Sequence, residues 1–143
     1  MEQEDYLETI YKLTIEQGLV RISDIAKILK LSKPSVTQMM QRLEKDECVI
    51  YKPYLPLKLT VKGKKIGKKV AERHEVLAEL LTILDIPENI QEKDIHGIEH
   101  SLSQITLDRL RQTAKFLKDK KFKPKIGHSK LLSVIHKPGT SSH

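Results

Sequence analysis

Tryptophan is absent from this 143-residue chain, phenylalanine occurs twice and cysteine once. With so few aromatics the core must be assembled mainly from Leu, Ile and Val, which suits a compact helical protein. The single Cys48 cannot close an internal disulfide, and its setting in Glu47-Cys48-Val49-Ile50 reads as a small apolar strand residue rather than a ligand. No apolar run approaches the roughly 20 residues needed to cross a bilayer. The acidic start also lacks the basic-then-apolar pattern of a secretory signal, so a cytoplasmic protein with no membrane partner is expected. Length excludes a bilobal enzyme and allows one domain, or two small ones sharing a core.

Charge is present in quantity but unevenly placed. Net charge is +7; residues 33–73 hold 11 Lys or Arg against 4 Asp or Glu, whereas residues 74–119 hold 5 against 9. Residues 120–143 carry six Lys and no acid, with Pro124, Gly127, Pro138 and Gly139, the composition of a flexible basic tail. A clustered positive patch attracts a polyanion and releases counterions on binding it. A solvated charged face is the plainer explanation of a lysine run, so charge alone decides little.

Apolar Tyr6, Leu7, Ile10, Tyr11 and Leu13 recur at helical spacing, predicting a first helix over residues 3–16 that ends near Gly18 and carries Asp5 and Glu8 on one side. A second helix is predicted with Ser23 as its cap and Ile22, Ile25, Ala26, Ile28 and Leu29 as its buried stripe. After a short turn, Ser32 caps a third helix with Pro34 near its first position and Val36, Met39, Met40 and Leu43 inward. Ser35, Thr37, Gln38, Gln41 and Arg42 then face outward. This is a helix-turn-helix whose second helix suits a DNA major groove. Residues 48–54 and 57–60 read as a hairpin around Leu55-Pro56, the wing of a winged helix, with Lys52 and Lys58 exposed. Thr60 caps the next helix, which opens with Lys62, Lys64, Lys65, Lys68 and Lys69 and turns apolar through Val76, Leu77, Leu80, Leu81 and Leu84.

The expected fold is therefore mainly α, a winged helix-turn-helix over residues 1–70 followed by a helical lobe over 71–120 and the basic tail over 121–143. Asp85-Ile86-Pro87 ends the basic helix, Pro87 starts the next, and a final helix spans about 106–117. The surplus of apolar positions in this lobe predicts a homodimer interface.

Metal-ligating residue types fall on three segments: Asp5 and Glu8, then His74, then His96-Gly97-Ile98-Glu99-His100. Positions three and four apart are helical neighbours, so His96, Glu99 and His100 can share a face. Imidazole and carboxylate together suit Mn, Fe, Co or Zn, while an all-oxygen set would suit Mg or Ca. Alone, His74 reads as a surface or interface histidine, and Asp5 and Glu8 as acids favoured near a helix N-terminus. The H-x-x-E-H run also fits a zinc hydrolase with Glu99 as general base. That reading needs a further ligand, supplied in such enzymes by a downstream Glu, and no Glu follows Glu99.

Taken in order, Glu4-Asp5-Tyr6-Leu7-Glu8-Thr9-Ile10-Tyr11, Ser23-Asp24-Ile25-Ala26, Ser35-Val36-Thr37, Leu59-Thr60-x-x-Gly63-Lys64, Arg73-His74-Glu75 and Gly97-Ile98-Glu99-His100 resemble the diphtheria toxin repressor (DtxR) family of metal-dependent transcriptional regulators, nearest its manganese-type branch. The resemblance runs from about residue 2 to 118, short of the SH3-like third domain of longer iron-type members. It implies a non-enzymatic repressor of metal-uptake genes that binds a palindromic operator as a homodimer, with Mn(II) as co-repressor and Fe(II), Co(II) or Zn(II) as alternatives. A winged-helix regulator independent of metal is the other reading.

Carried over by position, the resemblance implies Asp5, Glu8, His74, Glu99 and His100 as metal ligands. Position 96 departs from the pattern: His96 stands where manganese-type members have Glu and iron-type members Cys. A nitrogen donor there shifts preference toward Fe, Co or Zn. Gly97 leaves room for a close metal approach or for helix packing. For DNA, Ser32, Pro34, Thr37 and Gln38 resemble operator-contacting positions, with Gln38 suited to adenine and Pro34 to a thymine methyl. Lys33, Arg42, Lys52, Lys58, Lys62, Lys64 and Lys65 suit phosphates. With Asp5 and Glu8 in the DNA-binding lobe and the histidines in the other, metal would select one spacing of the two recognition helices in the dimer.

Overall fold

A computed structural model of the chain describes residues 3–125. Its elements are α1 (Gln3–Gln17), α2 (Ile22–Leu29), α3 (Lys33–Lys45), β1 (Val49–Ile50), β2 (Lys58–Leu59), α4 (Val61–Ile83), α5 (Glu88–Ile98) and α6 (Gln104–Asp119). The chain divides into two compact units, Met1–Glu72 and Arg73–His143. Of the predicted basic tail, residues 126–143 lie outside the described residues.

In the N-terminal unit, Tyr6, Leu7, Ile10 and Leu13 of α1 bury one face, as their spacing requires. Gly18, at φ +81°, ends the helix where a Cβ would be strained. Ile25 of α2 and Val36, Met40 and Leu43 of α3 are fully buried against them, and each such side chain stabilises the fold by about 1.5–3 kcal/mol. Ser32 caps α3 by accepting the Ser35 N–H at 3.2 Å.

Two expectations for this region change. Ser23 is not the cap of α2: the cap is Arg21, two residues earlier, and Asp24 Oδ2 accepts the Arg21 N–H at 2.9 Å. Ile28 lies outside the stripe and is 52% exposed, because α2 is only eight residues long and buries just Ile25 and Ala26 fully.

The wing is far shorter than a hairpin over 48–60. Only Val49↔Leu59 and Ile50↔Lys58 pair antiparallel, with an isolated bridge from Leu57 back to Val20. Pro53 and Pro56 lack donors, and Tyr54 between them sits at φ +66°, so the ladder cannot extend.

Thr60 starts α4 as expected: its Oγ1 accepts the Gly63 N–H at 3.1 Å and donates to the Glu47 carbonyl at 2.6 Å. A Cβ on Gly63 would meet the Cys48 carbonyl oxygen at 1.9 Å, and one on Gly67 the Leu7 carbonyl oxygen at 2.5 Å. These two glycines, one turn apart, let α4 lie directly on the backbone of its neighbours. Cys48 is a buried core residue, as expected, and burial pushes its thiol above its ordinary pKa.

Among the described residues of the C-terminal unit, Val76 and Leu77 of α4, Ile95 of α5 and Leu107 and Ala114 of α6 are the buried apolar side chains. Asp85 at φ +57° turns the chain after α4, and the Ile86 N–H closes that turn on the Leu81 carbonyl at 3.0 Å. Pro87 is the residue before α5 rather than its first. The last helix is longer than predicted at both ends, because Ser103 accepts the Thr106 N–H and starts it at Gln104. Ile98, Ile105 and Phe116 remain exposed at 42%, 65% and 59%.

Gly63→Ala is expected to destabilise the protein by about 1–3 kcal/mol or more, since backbone and not a movable side chain blocks the new methyl. Gly97→Ala, helical and with nothing within 4 Å of its Cβ position, is expected to stabilise by about 0.5–1 kcal/mol. Urea denaturation of both variants checks the contrast.

Candidate metal centre and nucleic-acid face

The surface of α3 supplies the nucleic-acid candidates. Lys33, Pro34, Ser35, Gln38 and Arg42 are exposed and Thr37 is half-buried. Ser35, Gln38, Met39, Gln41, Arg42 and Lys45 line an open groove along the helix. The hydroxyls of Ser32 and Ser35 hydrogen-bond each other at 2.8 Å in the cap, while the longer Lys33, Gln38, Gln41, Arg42 and Lys45 side chains are exposed along the helix. A glutamine offers a paired donor and acceptor that match adenine in the major groove.

Lys52 and Lys58 flank a small depression of the wing with Ile50, Leu55 and Pro56. Lys64 and Lys65 are exposed at the start of α4. Lys62 is exposed too, but its Nζ donates to the Asp46 carbonyl at 2.9 Å, so it ties α4 to the end of α3 as well as offering charge. Sequence reasoning passed over Tyr54, which is 97% exposed at the tip of the wing. The Pro53-Tyr54-Leu55-Pro56 pattern was the available signal, since flanking prolines force such a side chain out of a ladder.

The metal candidates fall in both units. On α1, Asp5 is buried and Glu8 half-buried, with Lys12 Nζ 3.6 Å from Glu8 Oε1. The macrodipole favours an acid in the first turn but does not require one to be buried.

In the C-terminal unit three imidazoles converge on one carboxylate. Glu99 is 2% exposed; its Oε2 lies 3.1 Å from His74 Nδ1, and its Oε1 lies 3.5 Å from His100 Nε2 and 3.9 Å from His96 Nδ1. The His96 and His100 rings stand edge to face, 6.1 Å between centroids. Helix α5 delivers this cluster differently from the expected single helical face. It ends at Ile98, so Glu99 is its C-cap and His100 lies in the following turn, closed by the Ser101 N–H on the Ile98 carbonyl. The cap still has helical backbone angles, which keeps His96, Glu99 and His100 on one side, with ligand atoms within 4.8 Å of one another.

Burying a carboxylate costs several kcal/mol unless a positive partner compensates it. A protonated His74 would do so at 3.1 Å. Three imidazoles exceed what one ion pair needs, and nitrogen donors around a carboxylate fit a first-row divalent ion.

The chain as a whole is similar to known proteins. Residues 1–57 match the family described as iron dependent repressor, N-terminal DNA binding domain, and residues 60–126 that described as iron dependent repressor, metal binding and dimerisation domain. The chain is 47% identical over 116 residues to the HTH-type transcriptional regulator MntR of Bacillus velezensis, covering 81% of this chain and 82% of that protein. Against MntR of Bacillus subtilis the identity is 46% over the same shares. Among solved structures it is similar to the manganese regulator SloR, with TM-score 0.66 and 25% identity over 82% of this chain. It spans only 54% of that longer chain.

Replacing Glu99 by Ala is expected to weaken Mn²⁺ or Co²⁺ binding by more than about 100-fold, beyond the 10–100-fold typical of outer-shell changes. Calorimetric titration checks this; unchanged stoichiometry and affinity would remove Glu99 from the ligand set.

Proposed function

The chain belongs to the iron-dependent repressor (DtxR) family of metal-dependent transcriptional regulators, and from that premise we propose that Mn(II) is the co-repressor with which its homodimer occupies a palindromic operator and silences metal-uptake genes. It is a DNA-binding regulator and not an enzyme, so Glu99 is no general base. The observation that carries the metal reading is the buried Glu99 carboxylate with imidazole nitrogens at 3.1, 3.5 and 3.9 Å.

The ligand set we propose is His74, His96, Glu99 and His100, joined by Asp5 and Glu8 of α1. A bound dication supplies compact positive charge that carboxylates and imidazoles can share. Within the N-terminal unit, α1 packs against α2 and α2 against α3. Side chains that pin α1 therefore steady the frame that carries the recognition helix. Gln38 reads a base edge, Thr37 and Pro34 flank it beside the Ser32–Ser35 cap, and Lys33, Arg42, Lys52, Lys58, Lys62 and Lys64 set register on phosphates. In the dimer two such helices address half-sites about one helical turn apart.

The nitrogen-rich set leaves Fe(II), Co(II) and Zn(II) as effective substitutes. We place the protein in the cytoplasm, with its operator. Among the described residues no helix is long and apolar enough to cross a membrane.

Titrating an operator-like palindrome followed by fluorescence anisotropy tests the reading. Affinity in Mn²⁺ is expected to exceed that in chelator by roughly 5- to 150-fold, the usual range of allosteric coupling. Equal affinities would leave a metal-independent winged-helix regulator. Under the same conditions Gln38→Ala is expected to cost about 1–3 kcal/mol and relax preference at one base pair, whereas Lys58→Gln weakens all sequences alike.

A further inference from the structure

We propose that the end of α6 and the turn after it form a second, sequence-independent grip on duplex DNA, a contact that rests on the repressor reading above and adds a surface to it. Lys115, Lys118, Lys120, Lys121, Lys123 and Lys125 are all exposed, and Asp119 is the only acid among residues 115–125.

Ordinary helix chemistry accounts for part of this cluster. The negative end of the macrodipole favours a cation in the last turn, and Lys118 Nζ also lies 3.5 Å from Glu79 Oε1. Lys120 Nζ sits 5.9 Å from the centre of the Phe116 ring. The Phe122 N–H bonds to the Leu117 carbonyl at 2.9 Å and the Lys121 N–H to the Lys118 carbonyl at 3.1 Å, the paired bonds of a helix-ending turn. Phe122 and Leu117 hold the two positions whose apolar pairing commonly accompanies that turn, which explains the exposed aromatic without a lipid surface.

Lys121, Lys123 and Lys125 have no such explanation. Lys121 occupies the left-handed position of the turn, φ 51°, where glycine is the unstrained choice. Lys30 ends α2 in the same conformation, so the backbone does not single Lys121 out; what does is its charge beside Lys120 and Lys123, which mutual repulsion does not select. A polyanion relieves that repulsion. Lysines, as hydrated point charges, suit phosphates rather than base edges. Duplex DNA is the polyanion favoured here, because a duplex held by the N-terminal unit is presented to the rest of the same chain at high effective concentration.

Salt dependence of binding tests this on the full chain in Mn²⁺, with an operator-like palindrome and an unrelated duplex. Lys120→Gln, Lys121→Gln, Lys123→Gln and Lys125→Gln together are expected to lower the slope of log K against log salt by about 3 to 4, at roughly 0.9 per phosphate contact. The ratio of operator to unrelated affinity is expected to stay unchanged, and the four matching Arg replacements to keep the full slope. A slope unchanged in the Gln variant overturns the proposal. So does loss of binding to phosphatidylserine vesicles with the DNA slope intact, which would make the segment a lipid-surface contact. If the unmodified protein binds neither duplex in Mn²⁺, the repressor reading falls and this proposal with it.

Discussion

Compensation of one buried carboxylate organises the C-terminal unit. Glu99 is almost fully withdrawn from water, and its two oxygens face His74 on one side and His96 and His100 on the other. Neutral imidazoles can donate a hydrogen bond to it but cannot cancel its charge. Nitrogen with oxygen at this density is a donor set that a divalent transition metal can use, which is the basis of the metal role proposed above. The position of Glu99 at the cap of α5 matters, because the helical backbone there holds it in line with His96 while letting the chain turn toward α6.

In the N-terminal unit the governing constraint is close backbone approach. Gly63 and Gly67 seat α4 on the carbonyls of Cys48 and Leu7, and Thr60 fixes where that helix begins. The hydroxyl of Ser32 and the side chain of Asp24 are spent on helix starts in the same way. The exposed long polar side chains of α3, Gln38 and Arg42 among them, are not used in these tasks and are the ones proposed above for DNA. Lys62 does both, since its amine bonds to the Asp46 carbonyl.

Most helices were legible because apolar periodicity is a property of the sequence alone. Leu7, Ile10, Ile25, Val36, Met40 and Leu43 were identified by spacing and are buried. The caps at Ser32 and Thr60 could be read because a small hydroxyl before an apolar stripe has few other uses. Arg21 gave no such sign, since there the cap works through the Asp24 side chain accepting a backbone N–H. The wing was overestimated because alternation around Leu55-Pro56 outweighed the donors missing from two prolines. Which residue types could bind metal was visible in the chain, and the resemblance selected among them. The convergence of His74 on Glu99 spans 25 positions, and no local pattern could supply it.

The contrast in exposure within the cluster bears on how such a sensor can change over generations. The Glu99 side chain is 3% exposed and the His96 side chain 68%, although both point to the same place. A substitution at position 99 disturbs packing and charge balance together, so folding itself polices that residue. One at position 96 alters donor chemistry at almost no structural cost. Within the ligand set proposed above, position 96 is thus the most exposed histidine of the cluster and one at which metal preference can drift independently of the scaffold.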